Sequence, residues 1–165
     1  MPDRTSTSPK KESLRDELAR LVEADLSVAE RAQRTTQQAA THEEAKPEND
    51  KDTRAVEQSY LARGQAQRVE DLRSDLAEVR RMPVRALAPD APVALGALVT
   101  ALEADATLVL FVAPAHGGAE LAGSTVQVVT PRSPLGRALL GKRAGDDCDL
   151  KLPQKTRELS IVCEE

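Results

Sequence analysis

Val69-Glu70-Asp71-Leu72-Arg73-Ser74-Asp75-Leu76-Ala77-Glu78-Val79-Arg80-Arg81-Met82-Pro83 sets apolar residues at 69, 72, 76 and 79 and then stops at a proline. Steps of three and four residues keep these side chains on one narrow stripe of a helix, and the charged flanks mark the stripe as a coiled-coil seam. Arg80 and Arg81 sit where the negative end of the helix dipole favours cations, and Pro83 cannot continue the helix. Working backwards, Ala55 and Ala62 extend the stripe towards a break at Thr41–Asp50 that contains Pro47. Before the break, Leu14, Leu18, Leu21, Val28 and Ala32 form a second seam, interrupted at Asp25, and Ser8-Pro9 offers a helix start. Two similar lengths around a short turn predict an antiparallel helical hairpin, with arms of about 28 residues and about 42 Å.

Beyond Pro83 the pattern changes. Residues 83–92 read as a proline-containing linker. Short β-rich runs follow at Val93–Thr100, Thr107–Ala113, Thr125–Thr130, Asp147–Leu152 and Arg157–Cys163, separated by turn residues such as His116-Gly117-Gly118. One short helix interrupts them, with Ser133 as its cap, Pro134 at its first position and Gly141 past its end. The expected organisation is a disordered stretch at 1–10, a coiled-coil hairpin at 11–82 with its tip at 41–50, a linker at 83–92, and an α+β domain at 93–165.

Composition excludes several classes. One Tyr, one Phe and no Trp leave an aliphatic core and no stacking platform for single-stranded nucleic acid. A net charge of -4 exerts no general pull on DNA or an anionic membrane. No apolar run approaches the ~20 residues of a membrane span, and the polar start, Met1–Lys11, carries no export signal. If Leu152 pairs with Arg157 in the last hairpin, Cys148 faces Ile161 and not Cys163, so two free thiols are expected.

Charge is uneven. Glu43, Glu44, Glu48, Asp50 and Asp52 crowd the break, whereas Arg132, Arg137, Lys142, Arg143, Lys151, Lys155 and Arg157 dominate residues 132–157. The plain reading is that Asn49 or Asp50 caps the second helix, Asp52 favours its positive end, and the bases are solvated. The sharper reading is that carboxylates at the end of a rod are hard oxygen ligands for a cation such as Mg²⁺. No nucleophile–base arrangement, phosphate-binding loop or metalloprotease motif is present, so the chain is not expected to be an enzyme in its own right.

Ser133-Pro134-Leu135-Gly136-Arg137-Ala138-Leu139-Leu140-Gly141-Lys142, followed by Gly145-Asp146, resembles the C-terminal signature of the GreA/GreB transcription elongation factor family. Val93–Val99 is similar to that domain's opening strand, and Glu48-Asn49, Glu57-Gln58 and Gly64 are similar to the family's second helix. The resemblance covers most of residues 12–163. It implies a coiled-coil hairpin followed by an FKBP-like α+β domain. It further implies a cytoplasmic accessory factor that binds bacterial RNA polymerase, the domain gripping the rim of the secondary channel while the hairpin enters it. In this picture Glu48 and Asp50, with Glu44 in reserve, approach the Mg²⁺ of the polymerase in trans, and the polymerase cleaves its own backtracked transcript. The chain itself then needs no cofactor and meets nucleic acid only within the elongation complex. Ser133, Pro134 and Leu135 become the expected polymerase contacts, although capping alone explains Ser133 and Pro134 equally well.

This sequence departs from the family pattern where an Asp usually precedes the Glu of Glu-Asn by three residues, a position held here by Ala45. A channel-binding inhibitor that does not stimulate cleavage is therefore the alternative within the same class, and a coiled-coil adaptor that oligomerises through its seam is the alternative outside it. A monomer is expected, because an intramolecular hairpin already buries the seam.

Overall fold

A computed structural model describes residues 9–43, 51–88, 90–152 and 155–164. Two long helices come first, α1 (Pro9–Glu43) and α2 (Lys51–Arg81). They are longer than the seams suggested, 35 and 31 residues. Pro9 and Lys10, placed with the disordered start by the sequence reading, already belong to α1. Among the described residues six strands and one short helix follow: β1 (Leu98–Glu103), β2 (Ala106–Val112), β3 (Glu120–Leu121), β4 (Val126–Val129), α3 (Pro134–Leu139), β5 (Asp147–Leu152) and β6 (Lys155–Glu164). The fold is α+β. By contacts the chain divides into a unit Arg20–Ala77 and a unit made of Met1–Ala19 with Glu78–Glu165. The proline-containing stretch 83–92 lies inside the second unit, where Met82, Val84 and Val93 are buried.

Within the Arg20–Ala77 unit, Val22, Val69, Leu72 and Leu76 are buried. Arg73 donates to Glu30 of the other helix at 2.9 Å and to Glu70 at 2.7 Å, and these carboxylates raise its pKa, Glu30 foremost. The α2 seam is as the spacing predicts at Val69, Leu72, Leu76 and Val79, whereas Ala62 is half-buried and the Ala55 side chain lies outside what the structure describes. The α1 seam is not as predicted: Leu21 is 39% exposed and Val28 57% exposed, while Val22 is fully buried. The buried line runs through Lys11, Leu14, Leu18 and Val22 in steps of three, four and four. Leu21 and Val22 compete to follow Leu18, and a second step of four turns Leu21, and with it Val28, away from the partner helix.

In the other unit the strand order is β3-β4-β2-β1-β6-β5. Among the described residues only β2 and β4 pair in parallel; β1–β2, β1–β6, β3–β4 and β5–β6 are antiparallel. One core gathers Val99, Ala101, Leu110, Val112, Leu139 and Ile161, with Leu135, Ala138 and Leu140 of the α3 region packed against it. Alternation sends Leu98, Phe111 and Val128 to the opposite face, where they are also buried.

Three strand expectations need correction. The run Val93–Ala97 is not strand. Val93 exchanges hydrogen bonds with Lys142 and Gly141, and at Gly96, φ +86°, the chain reverses before β1 starts at Leu98. β3 escaped the pattern because two residues have no periodicity. The last hairpin is shifted by two residues: Leu152 lies opposite Lys155 and Cys148 opposite Leu159, not Ile161, because the strands leave only residues 153 and 154 between them. Cys163 lies opposite Thr100 of β1.

Cys148 is a free, buried thiol, and burial pushes its pKa up before nearby charges act on it. In a Cys163→Ser background, Cys148 should therefore resist a thiol reagent at neutral pH until the chain is unfolded, at least about 100-fold more slowly than in denaturant. Equal labelling rates in the two states would show that its strand does not stay shut.

Candidate functional site

Ser133, Pro134 and Leu135 form a rigid corner. Thr130 turns the chain, accepting from the Ser133 backbone N–H at 3.0 Å. The Ser133 hydroxyl donates to the same carbonyl at 2.8 Å and accepts from Gly136 N–H at 3.0 Å, capping α3. Pro134 at the first helical position is exposed, while Leu135 is partly buried against the core. The capping role of Ser133 is thus realised, Leu135 is largely engaged in packing, and Pro134 is the member of the three that faces outwards.

The His116-Gly117-Gly118 turn adjoins this corner. His116 adopts a left-handed backbone, φ 57°, and its carbonyl accepts from Ala119 N–H at 3.0 Å. Gly118 N–H bonds to Val128 at 2.8 Å, and Gly117 lies so close to Thr130 that an added Cβ would come within 3.1 Å of its methyl. The result is an edge presenting Gly117, Pro134, Arg132 and Arg137 to solvent. The His-Gly-Gly sequence signalled a turn, but nothing in it signalled that the turn abuts Thr130.

The basic segment resolves into three sets. Lys142 donates to the Asp147 carbonyl at 3.2 Å, Arg143 reaches the Asp90 carbonyl, and Arg157 makes a two-pronged ion pair with Glu103 that raises its pKa. These three work inside the domain. Arg132 and Arg137 stand exposed beside Pro134. Lys151 and Lys155 lie on β5 and β6.

The acids assigned to the metal, Glu44, Glu48 and Asp50, lie outside the described residues. Among the described residues no group of three or more His, Cys, Asp or Glu is placed to hold a metal ion, and no helix is long and apolar enough to cross a membrane.

Two long helices precede a mixed-sheet α+β domain that carries a Ser-Pro-capped helix at an exposed basic edge. Residues 89–163 match the model of the GreA/GreB transcription elongation factor C-terminal domain. The matched stretch contains the Ser-Pro signature that carries the resemblance. Solved structures similar to the chain include Gfh1 of Thermus aquaticus, 18% identical over 88% of this chain and 92% of that one, TM-score 0.40. Gfh1 of Thermus thermophilus is 17% identical over 89% and 94%, TM-score 0.39. A GreA/GreB factor from Nitrosomonas europaea is 20% identical over 67% and 92%, TM-score 0.36. No curated protein matches the sequence significantly.

Proposed function

We propose that this chain is a cytoplasmic accessory factor of bacterial RNA polymerase that acts during elongation. The observation carrying the proposal is the GreA/GreB C-terminal domain at residues 89–163, preceded in the same chain by two long helices. The domain binds the channel rim through the edge around Pro134, Arg132 and Arg137, and the helices carry Glu48 and Asp50, with Glu44, into the secondary channel. Carboxylates suit this role, since Mg²⁺ takes one or two from a protein and keeps its other positions for water and phosphate. The metal makes the nucleophile and offsets the phosphate charge, so the factor need supply only ligands. Ala45, where the family usually has Asp, favours a second outcome on the same site, in which the tip occupies the channel and suppresses cleavage.

Backtracked elongation complexes, with and without the chain, test both. The chain is expected to change transcript shortening, upwards for a cleavage factor and downwards for an inhibitor. The double variant Glu48→Gln/Asp50→Asn should bind polymerase like the parent yet lose on the order of tenfold or more of that change. Asn caps a helix as well as Asp does, so a pure capping role for Asp50 predicts no loss. A double variant that matches the parent at several Mg²⁺ concentrations removes the tip acids from the mechanism.

A further inference from the structure

α2 carries two stripes. Val69, Leu72 and Leu76 form the inner one and are buried within the chain. Glu57, Leu61, Gly64 and Arg68 form the other. They step by four, three and four residues, so they also share one line of the helix, but this line faces outwards. Leu61 is 55% exposed and the neighbouring Tyr60 68%. On α1, Leu21, Val28 and Ala32, the residues that the sequence pattern assigned to the seam, also point away from the buried line and are exposed. Between the helices Ala29, Ala32, Tyr60, Leu61, Gly64 and Arg68 line a groove of about 350 Å³ whose surface is almost entirely apolar. A Cβ added to Gly64 would meet nothing within 4 Å, so the surface at this position is open and free of side chain.

We propose that this face docks a second copy of the chain, with the two α2 helices antiparallel across a two-fold axis between Ala62 and Arg63. That register sets Glu57 opposite Arg68 of the second copy and Leu61 opposite its Gly64, and symmetry makes each contact twice. Neither Glu57 nor Arg68 forms an ion pair among the described residues. One arrangement therefore matches charge with charge and the Leu61 side chain with the open surface at Gly64. Sliding the helices by one turn loses both matches: Leu61 then meets Arg68 in one direction, and Glu57 meets Gly64 in the other. A different partner would have to bring its own acid, apolar residue and base in complementary order, whereas this stripe is complementary to itself. The expectation of a monomer rests on the hairpin consuming its whole seam, and the outward stripe removes that premise. The dimer would hide a face of the hairpin, so a polymerase-bound form would have to be the monomer. The inference stands independently of the polymerase reading.

Sedimentation equilibrium of the full chain from about 1 μM to about 1 mM tests it. The mass should rise from 17.8 kDa towards twice that value, with a midpoint in the micromolar range expected of a small interface. Glu57→Arg or Arg68→Glu alone should raise the dissociation constant about tenfold or more by setting like charges face to face, and the two together should restore it. Gly64→Leu should weaken association without touching a charge. Recovery in the double variant also shows that the single variants fail by contact and not by misfolding. A mass of 17.8 kDa at every concentration, or a dimer indifferent to all these changes, overturns the proposal. So does a monomeric parent whose polymerase binding is lost in the same variants, which would assign the face to polymerase.

Discussion

Gly136→Ala should destabilise the α+β domain by about 3 kcal/mol or more, lowering the melting temperature by roughly 6–12 °C in a chain of this size. A Cβ at Gly136 would lie 1.9 Å from the Thr130 carbonyl oxygen and 2.7 Å from its carbon. Both are backbone atoms, and the same oxygen holds the Ser133 hydroxyl and the Ser133 N–H. Nothing there moves cheaply: relieving the clash means giving up the cap of α3 and shifting Leu139 from the core. Gly96→Ala should cost at least as much, for it adds backbone strain at φ +86° to a contact of 2.0 Å with the Pro83 carbonyl. Gly64→Ala is the control, since its Cβ meets nothing and Ala favours a helix interior by about 1 kcal/mol. Thermal melts of the three variants should give two losses and one small gain. A Gly136→Ala variant within about 1 kcal/mol of the parent would show that the Thr130 turn is soft.

The same contacts explain what the sequence made legible. Caps and breakers are local chemistry, so Ser133, Pro134 and Gly141 marked α3 correctly, and Pro83 stopped α2 two residues beyond its last helical position. The Val69-to-Val79 part of the α2 seam was legible because only one run of apolar residues there fits a helical stripe. On α1 two sets fit after Leu18, and only the partner helix selects Val22 over Leu21. The packing of the 83–92 stretch was hidden because proline composition reports local stiffness but not the tertiary contact that Pro83 makes with Gly96. Family resemblance pointed to Ser133–Leu135, but resemblance cannot separate a cap from a contact. The hydrogen bonds of Ser133 and the packing of Leu135 do so, and they leave Pro134 with its arginine neighbours as the exposed part.

Lys11→Ala should cost about 2–4 kcal/mol, the loss normally seen for a large core side chain, although a lysine near the start of a helix would ordinarily be a silent position. Lys11 is 0% exposed and occupies the first place on the buried line of α1, ahead of Leu14 and Leu18. Its Nζ donates to the Arg85 carbonyl at 2.9 Å, fastening the first turns of α1 to the chain just past α2. Close by in sequence, Glu17 accepts from the Ala122 N–H at 3.1 Å with both carboxylate oxygens, so α1 is tied to this unit at two separate points. Truncation at Lys11 removes the packed stem and leaves the Arg85 carbonyl without this donor. Lys11→Met separates the two contributions: it keeps most of the stem and removes the charge, and replacing a buried charge by an apolar side chain of similar volume is often nearly neutral. The expected order of urea midpoints is parent, then Met close behind, then Ala well below. Amide exchange near Arg85 should accelerate in both variants, because both lose the Nζ donor. If Lys11→Ala leaves the midpoint unchanged, the Lys11 side chain does not hold α1 to the Arg85 segment in solution.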